Sequence, residues 1–479
     1  MTTRSRFVAV FGALVREEWR IHVTLFGGAR FLLMPIFLSA AAIATAAALS
    51  ETGTVQSTVV DWIHVFAIGF GLYSGTAGFA GSDMLEHVFG EREYLLGTAA
   101  TVPVSRRVLL GLFLLKDALF YGGFVVVPLA VAVVPFVGLS AQLPAVLVGL
   151  WLSVWLAYVT GMVITVSFIA VRTRRVPRSV LVLVAASGAG GLYATGRYTD
   201  AWALVVSFDA GPLAGGLLFG LIALVGTLSL VVYDPTYRPL SRTHANEYDR
   251  ISGLLPGGDP LVAKSLLDLH RSSGGLAKPF VSVGILVLVV AGLLEVVESI
   301  TTIEPAPGLF FGSVLGLSAF TTYNWLTQFD DIGAYLRHPV SVEDVFRAKA
   351  FAFVVVGAPT VILPYLLSAY WFDATALDAI TGLFVVVGYA AYYYGLTVFV
   401  AGFSPNEFLF DGARFACFGL GVTVVLLPTL LVSIAVATPT FPVAGLLWLA
   451  SLALGSLGLV MTRRAARRWA NAYAAGRLR

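Results

Sequence analysis

Charge is scarce in this sequence. Only 12% of its 479 residues are Asp, Glu, Lys or Arg, against 58% hydrophobic, which excludes an ordinary soluble domain and points to a chain that crosses a membrane many times. Cysteine is nearly absent. The single Cys417 lies in an apolar run, so an internal disulfide and a cysteine-cluster metal site are both excluded, and it reads as a small packing residue. The six histidines, His22, His64, His87, His244, His270 and His338, are dispersed, with no H-E-x-x-H or similar spacing to hold a metal. A Ser/His/Asp nucleophile arrangement is equally unsupported. No G-x-x-x-x-G-K-[ST] occurs, so no loop here cradles nucleotide phosphates. The net charge of +3 is no nucleic-acid signal, because the basic residues sit where membrane topology wants them.

What the sequence has is long apolar runs. Twelve can cross a hydrocarbon core of about 30 Å, at about 30–50, 62–81, 118–137, 144–171, 180–196, 211–233, 279–297, 307–327, 350–371, 380–403, 415–437 and 442–461. The fifth is the weakest, since SGAGG lowers helix propensity, although small residues also permit close packing in a bilayer. The expected fold is an all-α polytopic membrane protein of about twelve transmembrane helices.

Lys and Arg gather in alternate connections: the N-terminal arm (Arg4, Arg6, Arg16, Arg20), the second-to-third loop (Arg92, Arg106, Arg107, Lys116), RTRRVPR, the central loop and the tail RRAARRWANAYAAGRLR. The opposite loops are short and neutral or acidic, so both termini are expected in the cytoplasm, with the protein in the plasma membrane. Charges follow the first apolar stretch at once and no small-residue cleavage site appears, so the N-terminus is expected to be retained. Five segments follow: a cytoplasmic amphipathic arm (1–29), a first membrane unit (30–233), a cytoplasmic linker (234–278), a second membrane unit (279–462) and a basic tail (463–479).

The two units look like copies of one another. Gly97, Pro103-Val104-Ser105 and Gly333, Pro339-Val340-Ser341 match at a fixed offset of 236. Acids precede each (Glu91 and Glu93; Asp330 and Asp331), and a lysine follows each, Lys116 or Lys349. The lysines differ by three residues in distance from the proline, nearly one helical turn, so both fit similar helix faces. Six spans per unit is an even number, so the expectation is two six-helix repeats in parallel orientation about an axis along the membrane normal. Each repeated loop suits an interfacial helix and turn that caps the next membrane helix.

The segment FVAVFGALVREEWRIHVTLF before the first span, the loop with E-R-E, G-T and P-V-S-R-R, and six spans per unit resemble the type-2 permeases of ATP-binding-cassette exporters. The resemblance implies an N-terminal segment along the inner membrane face and a second-to-third loop that touches an ATPase. On this sequence it makes Glu91, Arg92, Glu93, Gly97, Pro103, Ser105 and Arg106 coupling candidates, with Asp330, Asp331, Gly333, Pro339, Ser341 and Lys349 as counterparts. It further implies two copies of a separate cassette ATPase at the cytoplasmic face carrying ATP and Mg, no cofactor or catalytic residue in this chain, and contact with membrane lipids but not nucleic acid. Two features depart from the family: two units are fused in one chain, and the second copy lacks E-R-E. RSSGGLAK, 271–278, has a glycine-rich look shared with cassette signature segments but reads as a flexible turn.

Two other classes compete. An ion-coupled secondary transporter places charges within the bilayer; here Asp61, His64, Lys116 and Asp117 fall near span ends, and Asn324 is uncharged. A prenyl or diphosphate transferase uses carboxylates to hold magnesium, and Asp83, Glu86, Glu91, Glu93, Asp330 and Asp331 lack its repeated four-residue spacing. SPNEFLFDGAR, 404–414, reads as a further ATPase contact or a capped loop, and 197–210 as an outer re-entrant element or a plain connection. The tyrosines of AYYYG cannot all face one cavity, because consecutive helical residues point about 100° apart.

Overall fold

Hydrocarbon offers no partner for a backbone N–H or C=O, so a run of apolar residues must satisfy these groups within itself. The computed structural model, which describes residues 3–25, 28–51, 53, 55–77, 104–197, 199–200, 203, 211–234, 246–272, 275–301, 304–330, 332–335, 337–403 and 412–475, has helices and no strand among them. Nine of the described helices are long and apolar enough to cross a membrane. Contacts divide the chain into two units, Met1–Pro239 and Leu240–Arg479.

The first unit comprises α1 (Thr3–Leu25), α2 (Leu33–Glu51), α3 (Gln56–Ala77), α4 (Arg106–Tyr121), α5 (Leu143–Thr173), α6 (Arg178–Ala194) and α7 (Gly211–Val232). Three helices here fall outside the nine. α1 carries Arg16, Glu17, Glu18 and Arg20 within its apolar pattern. α3 is long enough, but Ser57, Thr58, Asp61 and His64 dilute its apolar run, and α6 has only 17 residues. Glycine sets the tightest packing. A Cβ on Gly71 of α3 would lie 1.9 Å from the Tyr158 carbonyl oxygen of α5, and one on Gly161 would lie 2.2 Å from that of Ile68. Two backbones this close need residues without side chains at the contact.

Beyond α4 the chain stays helical to Val137 by way of a π turn at Gly122–Val126. Pro128 lacks the N–H that an α-helix needs there, and its ring crowds the carbonyl of Phe124. Two indoles of α5 take up carbonyls of this stretch: Trp155 Nε1 donates to Ala118 O at 2.8 Å and Trp151 Nε1 to Gly122 O at 3.0 Å.

The second unit comprises α8 (Glu247–Leu254), α9 (Pro260–Arg271), α10 (Ala277–Thr301), α11 (Pro307–Leu315), α12 (Ser318–Thr327), α13 (Ile332–Tyr335), α14 (Val342–Trp371), α15 (Ala376–Ala401), α16 (Gly412–Ala435) and α17 (Phe441–Ala474). The expected linker is thus structured: α8 and α9 lie inside it, and Val262, Leu266 and Leu269 of α9 join the main core of this unit. The expected span at 307–327 is broken at Gly316 into α11 and α12, each too short to be counted alone.

α15 is the central helix, with 67% of its apolar window buried against 6% for α2. Glycines explain how neighbours reach it. Gly308 and Gly312 of α11, four residues apart, meet the backbone of Asp378 and Gly382, and Gly395 meets Gly458 of α17. The Asp378 carboxylate, buried at the start of α15, accepts from Gly308 N at 2.6 Å and Leu309 N at 2.9 Å. It thereby satisfies two of the free donors at the start of α11.

Candidate functional site

The matching P-V-S segments each precede a helix, and the serine is its cap. Ser341 has extended backbone and accepts from Asp344 N at 3.1 Å, while Asp344 Oδ2 accepts from Ser341 N, a complete capping box at the start of α14. Ser105 caps α4 with one longer bond, from Val108 N at 3.4 Å. Loss of a cap of the first kind costs about 1 kcal/mol. Ser341→Ala is therefore expected to destabilise the full chain by about that amount and Ser105→Ala by less, measured as unfolding in detergent.

The lysine after each serine is buried. Lys349 of α14 has its Nζ 2.9 Å from Asp330 Oδ1 and donates to Leu326 O at 2.6 Å, with both charged side chains at 1% exposure or less. Tyr335 of α13 donates to the same Asp330 oxygen at 2.7 Å, and Lys264 of α9 donates to the Tyr335 hydroxyl at 3.1 Å and to Asp268 Oδ2 at 2.6 Å. Burial, then the Asp330 carboxylate, hold the Tyr335 hydroxyl well above its ordinary pKa, so it remains a donor. One chain of polar contacts thus runs from the buried face of α14 through α13 to α9.

Lys116 of α4 stands in a comparable place but with different partners. Its Nζ pairs with Glu18 Oε2 of α1 and lies 2.6 Å from Asp117 Oδ1. Tyr121 donates to Glu18 Oε1 at 3.0 Å, Ser74 to Asp117 Oδ2 at 3.3 Å, and Tyr158 to Ser74 at 2.9 Å. In both units an amphipathic helix before the first long apolar helix is held to the serine-capped helix through its lysine: α1 to α4 by a direct pair, α9 to α14 through Tyr335 and Asp330.

Sequence reasoning missed Glu18, Tyr335 and Lys264. Glu18 had a signal: it follows Leu14 by four residues, so it stands on the buried stripe of α1, where a lone carboxylate needs a partner. Lys264 and Asp268 also form an i,i+4 pair, but Tyr335 is linked to them only by the fold.

The surface of the second site is an apolar-lined cleft of about 770 Å³, bounded by α9 (Leu261, Lys264), by Phe329 and Tyr335, and by His338, Pro339 and Val340. Arg347 and Asp344 of α14 complete its rim. Pro339 and His338 are exposed and Gly333 is half-buried, whereas Asp330 and Lys349 face only each other and their protein neighbours. Of the other expected coupling residues, Ser105 is exposed and Arg106 opens α4. Glu91, Arg92, Glu93, Gly97, Pro103 and Asp331 lie outside the described residues, as do 404–411 and most of 197–210.

Among the described residues, no group of three or more His, Cys, Asp or Glu is placed to hold a metal. The Tyr392 hydroxyl donates to Gly421 O at 3.1 Å, while those of Tyr393 and Tyr394 are buried with no hydrogen-bond partner among the described residues. Compared with protein-family models, curated proteins and solved structures, the chain has no match.

Proposed function

We propose that this chain is the membrane subunit of an ATP-driven exporter, powered by a separate cassette ATPase on the arginine-rich side, which is the cytoplasm. In this reading α2 to α7 form one six-helix repeat. The second consists of α10, the broken α11 and α12, and α14 to α17. The observation that carries it is the repeated tie between an amphipathic helix and a buried lysine on a serine-capped membrane helix. In the second unit, force applied at the loop before that cap is transmitted to the membrane helix, because Asp330 and Tyr335 of the loop, Lys264 of the amphipathic helix and Lys349 are linked by short polar contacts.

The burial of Asp330 and Lys349 divides the labour among the proposed residues. These two hold the loop in place, and the exposed His338 and Pro339, at the mouth of the cleft, make the contact with the ATPase. The corresponding surface in the first unit is assigned to the segment around Pro103. The cargo is proposed to be hydrophobic or amphipathic, given how few charges the spans contain.

A second reading, ion-coupled transport, is favoured by one feature: two carboxylates, Glu18 and Asp117, share the single buried Lys116. Apart from His22, 3.5 Å from Glu18 Oε1, no cation among the described residues offsets the second carboxylate, which gives the site a place for a proton or cation. Cross-linking from the exposed position 338 separates the two. Transfer of the link to a polypeptide with a Walker motif supports the exporter, and links confined to this chain favour ion coupling.

A further inference from the structure

α17 has 34 residues and is therefore about 51 Å long, well beyond the roughly 30 Å of hydrocarbon. Its first part, through Met461, is uncharged, and exposes Leu446, Leu449, Leu452, Leu457, Leu459 and Val460. At 100° per residue these six side chains fall within one arc of about 160°. Arg463, Arg464, Arg467 and Arg468, all exposed, continue that arc. The opposite side, Ala465, Ala466 and Trp469, is buried. No acid occurs from α17 to the end of the chain, and none of the four arginines has a carboxylate partner among the described residues. Arg468 is held in place, its guanidinium donating to Phe399 O at 3.3 Å and lying 4.7 Å from the Phe399 ring centre.

We propose that this arginine face binds the headgroups of anionic phospholipids. A topology signal requires only that positive charge follow the span, on any face of the helix. Here the charges stand on the same face as the apolar stripe, about 4 to 12 Å beyond Val460 along the axis, within reach of a headgroup layer about 5–8 Å thick. A lipid whose chains cover Leu457 and Val460 places its phosphate against these arginines. Guanidinium forks match phosphate oxygens in pairs, which favours phosphate over a diffuse counterion.

The test uses the full chain in phosphatidylcholine bilayers containing trace spin-labelled phosphatidylglycerol or spin-labelled phosphatidylcholine. The expected result is about a fivefold preference of the protein for the anionic probe, falling towards one in about 1 M salt. The preference is expected to disappear in R463Q/R464Q/R467Q/R468Q and to persist, reduced, when the same four positions are Lys. If the glutamine variant does not insert, the salt series and the lysine variant decide. Equal association of the two probes with the unaltered chain, a preference indifferent to salt, or one that survives the glutamine variant overturns the proposal. So does its removal by millimolar inorganic phosphate, which would assign the face to a free anion, or by a soluble acidic polypeptide, which would assign it to a protein partner.

Discussion

Asp330→Leu or Lys349→Met alone is expected to destabilise the full chain by about 3–5 kcal/mol, because each leaves an uncompensated buried charge. The double variant is expected to recover most of that loss, to within about 1–2 kcal/mol of the unaltered protein, since two apolar side chains replace the pair without stranding either charge. Unfolding of the four proteins in the same detergent measures the cycle. Near-additive losses would mean that the two side chains are not coupled, and the link between the loop and α14 would fail with them. The prediction also governs any test of partner binding. Charge reversal at Asp330 disrupts the packing beneath the loop, so a loss of binding in that variant says nothing about contact; substitutions at the exposed position 338 do not carry this ambiguity.

The second large effect belongs to the contact between α15 and α17. A Cβ on Gly458 would lie 2.2 Å from the Ala391 carbonyl oxygen and 2.6 Å from the Tyr392 Cα, backbone atoms that cannot rotate away, whereas one on Gly455 would lie 3.5 Å from its nearest neighbour. Gly458→Leu is expected to cost about 3 kcal/mol or more. Gly455→Ala, one turn away on the same helix, is expected to be neutral or slightly stabilising, because alanine favours a helix by about 1 kcal/mol over glycine. Both are read from the yield of monodisperse protein and its unfolding temperature. Equal tolerance of the two changes would contradict the close approach of these helices.

Much of the membrane character was legible because it is written in composition. Runs of apolar residues require helices, and nine helices of the necessary length and composition are present. The departures have local causes. The run at 307–327 is uniform in composition, yet its helix is interrupted at Gly316 and Leu317, both still in helical backbone conformation, where a Cβ on Gly316 would lie 2.8 Å from that of Tyr389. The central segment looked like a linker because its charges are mixed, although Val262, Leu266 and Leu269 recur at helical spacing and are buried.

At the candidate site, the offset of 236 aligned Ser105 with Ser341 as coupling candidates, and the structure shows each as a helix N-cap, a role that depends on residues a turn apart. It also drew attention to Lys116 and Lys349 as a pair one turn out of register, and both are buried. Their acids were not legible. Lys116 uses a glutamate 98 residues earlier, and Lys349 uses Asp330, which the sequence offers as a coupling residue rather than as its partner; only the packing of separate segments brings each to its lysine.

The central claim is that the loop before α14 touches an ATPase, and cross-linking from that loop tests it most directly. Cys417, the only cysteine, is exposed and is first replaced by Ser. A cysteine is then placed at His338 or, as a control, at Leu139, which is 93% exposed between α4 and α5 on the side expected to face outward. In native membranes treated with a short bifunctional reagent, position 338 is predicted to yield an adduct with a polypeptide carrying G-x-x-x-x-G-K-[ST], and position 139 none. An adduct at neither position, or at both alike, would contradict the account.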